Sequence, residues 1–127
     1  MSTSVTKWWW VRHAPVTANR GRIYGQQDLP CDTGDIAAFK GLAAMLPKEA
    51  LRVTSNLQRT VQTADAIVAQ GYHFAECLVE PDLREQHFGD WQGQRYADFA
   101  NERGSLENRY WMFPAHERTP NGESFVD

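Results

Sequence analysis

Ile36, Phe39, Ala43 and Leu46 recur at helical intervals and share one face of a predicted helix. Asp32 or Thr33 stands where an N-cap belongs, and Pro47 closes the segment. The period returns at Leu57, Val61, Ala64, Ile67 and Val68, a second helix ended by Gly71. Residues 7–11 follow another rule: behind Lys7, the run Trp8, Trp9, Trp10, Val11 has no polar alternation, the habit of a strand covered on both faces in a parallel sheet. Residues 51–55 predict a second strand and 74–79 a third. The order strand, helix, strand, helix predicts a parallel α/β sheet joined by right-handed crossovers.

The remaining segments are irregular. Residues 14–30 are punctuated by Pro15, Gly21, Gly25 and Pro30 and read as a loop leaving the C-terminal end of the first strand, the edge where open parallel sheets bind ligands. A loop rich in charge and aromatic rings follows Pro81 over residues 82–93. A helix is expected around 96–103, a polar surface loop over 114–122, and the start of another element at Gly122, Glu123, Ser124 and Phe125. No internal repeat or low-complexity tract is present.

At 127 residues the chain fits one domain, here 1–127, with no room for two independently stable ones. Its 42% hydrophobic and 12% aromatic content is too high for a disordered chain of modest charge. A net charge of −3 supplies no global basic field for nucleic acid, so a phosphate ligand needs a local cluster of arginines. The N-terminal apolar run is too short for a secretory core or a membrane span. Cys31 and Cys77 are expected to stay reduced, and a cytoplasmic location follows.

Three segments carry candidate chemistry. Arg12 and His13 follow the first strand directly, setting a fixed cation beside an imidazole at the ligand edge; a loop histidine beside a solvated arginine is the plainer reading of that pair alone. Arg59 falls in the first turn of the second helix, off its apolar face, where it and the free N–H groups of that turn would converge on an anion unless it simply faces solvent. Glu85 lies among apolar and aromatic neighbours before Gly89, Trp91 and Gly93, a setting suited to a general acid, with His87 as its rival. His73 and His116 lack ligand spacing, and no metal or other cofactor is expected.

Together these segments resemble the histidine phosphatase superfamily, the phosphoglycerate-mutase-like branch 1. The resemblance runs through Trp8-Val11-Arg12-His13, Asn19, the stretch 24–30, Ser55-Asn56-Leu57-Gln58-Arg59-Thr60-Val61-Gln62-Thr63-Ala64, Leu83-Arg84-Glu85 through Gly89, Trp91 and Gly93, and Pro120-Asn121-Gly122-Glu123-Ser124. It implies a three-layer α/β fold, a mostly parallel sheet with helices on both faces, incomplete at the C-terminus. It also implies a metal-independent phosphomonoesterase working through phosphohistidine: His13 as nucleophile, Arg12 and Arg59 on the phosphoryl oxygens, Asn19 and the Gly25 loop at the substrate, and Glu85 protonating the leaving oxygen.

The chain departs from that pattern in three places. Ala14 and Val16 stand where a glycine and a hydroxyl residue are usual, so one hydroxyl contact to phosphate is absent. The family's second catalytic histidine lies downstream of the Gly-Glu-Ser segment, and the chain reaches Asp127 before it, which implies a fragment of a longer protein, the favoured reading, or an independently folding variant that has lost part of its pocket. The resemblance favours a phosphatase of small phosphorylated metabolites, similar to α-ribazole-phosphate phosphatases. A phosphoglycerate mutase, a phosphate-binding module without turnover, and an interaction domain faced by Trp8 to Trp10 are the other readings. Nucleic-acid and membrane partners are not expected, and oligomeric state is not legible.

Overall fold

The computed structural model describes residues 2–98 and 114–127. Its elements are α1 (Ile36–Met45), β1 (Leu51–Thr54), α2 (Gln58–Val68) and β2 (Glu76–Val79), followed by 3-10 turns at Pro81–Leu83 and Gly89–Trp91. β1 and β2 pair in parallel, Leu51 opposite Glu76 and Thr54 opposite Val79, so the chain from β1 through α2 to β2 is a βαβ unit. The class is α/β with a parallel sheet, as the order of periods requires; among the described residues the sheet has two strands.

Both predicted helices form, with changed edges. Asp35, not Asp32 or Thr33, caps α1, its carboxylate accepting from the Ala38 N–H, while Asp32 closes a local turn with the Gly34 N–H at 2.8 Å. Phe39 is the buried residue of α1, and it meets Ile67 of α2 and Tyr72 in one core cluster, with Leu42, Ala43, Leu46 and Phe74 packed around it. Ile36, on the predicted apolar face, is 47% exposed. Tyr72 spans the base of this cluster, accepting from the Ala50 N–H and donating to the Pro47 carbonyl. A second, smaller cluster joins Ile23, Trp91 and Phe88 across the two long loops.

The largest correction concerns residues 7–11. They form no strand, and Trp8, Trp9 and Trp10 are 66%, 50% and 80% exposed. A strand buried on both faces needs strands at its edges and helices above and below. The described residues offer one strand pair, with α2 packed on β1 and α1 packed on α2, and none of these covers the segment. The rings of Trp8 and Trp10 stack on each other instead, centroids 5.8 Å apart. Residues 122–125 begin no helix or strand: the Ser124 N–H and hydroxyl both turn to the Asp127 carboxylate. Of the helix expected at 96–103, residues 96–98 are helical and 99–103 lie outside the described residues.

The start of α2 is closed from a distance. Leu57 precedes it without a side-chain cap, and Asp28 of the first long loop supplies one, its carboxylate accepting from the Gln58 N–H at 2.7 Å while its carbonyl accepts from the Gln58 amide. The Leu57 N–H goes to the Ser55 hydroxyl at 3.3 Å. The Gln58, Thr60 and Val61 N–H groups at the start of α2 are therefore engaged by the protein. Asp28→Ala is expected to cost about 1 kcal/mol of stability, the usual value of an N-cap. Urea unfolding checks it, and an unchanged midpoint would show the cap to be idle.

Candidate active site

His13 leaves the Trp run half-buried, and its Nδ1 lies 2.8 Å from the Ala14 carbonyl oxygen. A carbonyl only accepts, so Nδ1 donates to it, and Nε2 is the ring nitrogen left to face a substrate. The loop is held by its next residue: the Ala14 N–H donates to the Thr63 hydroxyl at 2.9 Å, and that hydroxyl donates to the Arg59 carbonyl at 2.7 Å. Thr63, one helical turn after Arg59, thereby ties the histidine loop to the helix that carries the arginine. The Asp32 N–H donates to the Pro15 carbonyl at 2.7 Å, and the Cys31 N–H donates to Gln62 at 2.9 Å, so the far end of the loop returns to α2 as well. Cys31 and Cys77 are both free thiols.

Arg59 is 1% exposed, among the most buried large side chains described. Its Nη2 donates to the Gly25 carbonyl at 2.7 Å and its Nη1 to the Gln27 carbonyl at 2.9 Å. The guanidinium carbon stands 4.9 Å from the centre of the Tyr24 ring, a cation–π contact. Nε is buried without a hydrogen-bond partner. The solvent-facing reading of Arg59 is thus excluded: a helix that looks amphipathic by its apolar residues has a second buried side, lined by loop carbonyls.

Gly25 is buried and takes a φ of +47°, in the left-handed region. A side chain there would meet Gln92 Oε1 at 2.6 Å and a Phe88 ring carbon at 2.7 Å, so glycine is required where two loops touch. Backbone bonds continue the contact: the Ile23 N–H donates to the Gln94 carbonyl, the Gly93 N–H to the Ile23 carbonyl, and the Tyr96 N–H to the Gly21 carbonyl. Asn19 is spent partly on its own turn, its amide donating to the Arg22 carbonyl at 2.8 Å.

Glu85 is exposed, and one carboxylate oxygen accepts from the Gln86 N–H at 2.9 Å. Arg12 is exposed too. Both lie within electrostatic reach of Tyr96: partial burial raises its phenol above the ordinary value, negative charge on Tyr24 and Glu85 adds to the rise, and the Arg12 guanidinium opposes it. Arg12, Tyr24 and Glu85 thus lie close enough to Tyr96 to act on its charge, while Thr63 ties the backbone N–H next to His13 to the carbonyl of Arg59.

His87, the rival of Glu85, faces inward along the backbone. Its Nδ1 accepts from the Gly89 N–H at 2.9 Å, its N–H donates to the Glu123 carboxylate at 2.8 Å, and its carbonyl accepts from the Glu123 N–H at 2.8 Å. Sequence reasoning did not single out Thr63, Tyr24, Gln27, Gln92 and Glu123 as parts of this framework. Thr63 alone left a local signal, being four residues after Arg59 where a hydroxyl reaches back to a helical carbonyl.

The model of the histidine phosphatase superfamily (branch 1) matches residues 8–127 of the chain. A bifunctional protein of Mycobacterium tuberculosis is 33% identical over 103 residues, covering 81% of this chain and 26% of its own length. An adenosylcobalamin/α-ribazole phosphatase of Salmonella typhimurium is 30% identical over 122 residues, covering 92% of this chain and 58% of its own. Among solved structures, a mycobacterial glucosyl-3-phosphoglycerate phosphatase aligns with a TM-score of 0.66 and 28% identity, over 91% of this chain and 54% of its own. The chain thus spans between about a quarter and three fifths of the length of these relatives.

Proposed function

Because the chain belongs to branch 1 of the histidine phosphatase superfamily, we propose that it is a cytoplasmic, metal-independent phosphomonoesterase that transfers a phosphoryl group to His13 and then to water. The observation that carries the reading is the pinned imidazole: with Nδ1 committed to the Ala14 carbonyl, Nε2 is the nucleophile, and the Thr63 bridge sets it beside the arginine helix.

The chemistry proceeds in two displacements. Nε2 attacks phosphorus, forming an N–P bond as the P–O bond to the leaving group breaks, and Glu85 gives the departing oxygen its proton. Arg12 and Arg59 hold the phosphoryl oxygens as their charge redistributes, with Asn19 and the Gly25 loop bounding the substrate. Water, losing its proton to Glu85, then attacks phosphorus, breaking the N–P bond and releasing orthophosphate. The substrate is a small phosphorylated metabolite; the names of the relatives, an α-ribazole phosphatase and a glucosyl-3-phosphoglycerate phosphatase, support that class without choosing within it.

The direct test is capture of the intermediate. Brief reaction with a 32P-labelled phosphomonoester in EDTA, quenched in alkali, is expected to leave label on the protein that acid then removes, as a phosphoramidate behaves. No label, or label stable in acid, would overturn the reading. Glu85→Gln is expected to slow phenyl phosphate by on the order of a hundredfold while slowing p-nitrophenyl phosphate far less, because an activated leaving group needs no proton. Equal slowing of both esters counts against Glu85 as the acid.

A further inference from the structure

One side-chain oxygen joins the two loops that the proposed chemistry depends on. Gln92 Oε1 accepts from the Gln26 N–H at 3.0 Å and from the Phe88 N–H at 3.2 Å. Gln26 lies between Gly25 and Gln27, whose carbonyls hold the two ends of the Arg59 guanidinium. Phe88 lies three residues after Glu85, and the intervening Gln86 and His87 are fastened to Glu123 by the Gln86 amide and the His87 N–H. The seam at Gln92 is tight, since any Cβ at Gly25 would strike its oxygen at 2.6 Å.

From this geometry we propose that Gln92 is a positioning residue, setting the distance between the phosphate-holding Arg59 and the acid Glu85 by fastening their two loops to one acceptor. The inference rests on the roles given to Arg59 and Glu85 under the proposed function. Gln92 needs no contact with substrate: it acts as a shared acceptor, so chemistry and reach decide what can replace it. Glutamate keeps an acceptor oxygen at the same reach. Asparagine is one methylene shorter and withdraws it. Leucine has the bulk and no acceptor, so both N–H groups lose the Gln92 oxygen.

The experiment compares Gln92→Leu, Gln92→Asn and Gln92→Glu with the unaltered protein, each first shown folded by its urea transition. Four quantities are read: kcat and KM for p-nitrophenyl and phenyl phosphate in EDTA, orthophosphate affinity, and hydrogen exchange at the Gln26 and Phe88 amides. Gln92→Leu is expected to speed exchange at both amides together and to lower kcat by roughly tenfold to a hundredfold, the scale of a misplacement near 1 Å. It is also expected to sharpen the preference for the better leaving group and to weaken orthophosphate binding. Gln92→Asn follows in the same direction, so a Leu variant that does not fold leaves the comparison intact, and Gln92→Glu stays within about threefold of the unaltered protein.

A folded Leu or Asn variant with faster amide exchange but unchanged kcat, leaving-group preference and orthophosphate affinity would overturn the inference and leave Gln92 a purely structural residue. Failure of Gln92→Glu to rescue overturns it as well. The underlying reading fails separately, when His13→Ala hydrolyses phosphomonoesters as fast as the unaltered protein. If turnover is undetectable throughout, orthophosphate affinity decides: weakened by Leu and Asn and kept by Glu it supports the inference, while unchanged affinity, or no binding by the unaltered protein, overturns it.

Discussion

Replacing His13 by alanine is expected to abolish His-dependent hydrolysis of p-nitrophenyl phosphate in EDTA, a fall on the order of a thousandfold or more. The size follows from what is removed. Water attacking the ester directly would have to be found, oriented and deprotonated in one step, whereas the ring of His13 is already held in place by the Ala14 carbonyl, with Nε2 as its attacking atom. The variant should fold, because the half-buried ring bonds to the carbonyl of its own neighbour and the loop is anchored elsewhere, through the Ala14 N–H on Thr63. A steady-state assay beside the unaltered protein, with circular dichroism to show both folded, checks it. Retained activity in a folded His13→Ala protein removes the phosphohistidine mechanism.

Arg59→Ala is expected to destabilise the fold by about 3 kcal/mol or more, as seen by urea unfolding. Arg59 is 1% exposed, and removal of its guanidinium takes the Arg59 donor from the Gly25 carbonyl, leaves the Gln27 carbonyl to the Leu29 N–H alone and uncovers the Tyr24 ring. Arg59→Lys should recover little, since one ammonium cannot reproduce a planar fork spanning two carbonyls. On the proposed mechanism, either variant is therefore expected to lose activity from two sources, the missing phosphate contact and the released Gly25 loop. A destabilisation below 1 kcal/mol for Arg59→Ala would mean that the loop holds itself.

Arg59 also marks the limit of what the chain discloses on its own. The spacing of Leu57, Val61, Ala64, Ile67 and Val68 reveals α2; Leu57, Ala64 and Ile67 are buried as the period requires, while Val61 is half-buried and Val68 exposed. Periodicity registers apolar side chains and is blind to backbone carbonyls. It cannot see that a loop more than thirty residues away brings Gly25 and Gln27 against the polar side of the helix. The Asp28 cap escapes for the same reason, because capping patterns are read over three or four residues and this one closes over 30. Residues 7–11 show the converse error. Their apolar content states a preference for burial, but burial takes a second surface, and the described elements give Trp8 to Trp10 none. The family resemblance names His13, Arg59 and Gly25 together; Thr63 and Glu123 lie in the matching segments and Gln92 beside one, but no role could be read for them, because they act on backbone groups brought near only by the fold.

The outward Trp stack gives the molecule an optical asymmetry. Of the four described tryptophans, Trp91 is 8% exposed, while Trp8, Trp9 and Trp10 face water. Emission from those three is that of hydrated indoles, red-shifted and open to a soluble quencher such as iodide, whereas Trp91 emits to the blue and is shielded. Excitation near the red edge thus reports on the N-terminal ribbon, and the blue, quencher-resistant fraction reports on the loop junction beside Gly25. The described tryptophans thus make two separable spectroscopic channels, one for the N-terminal ribbon and one for the junction of the two long loops.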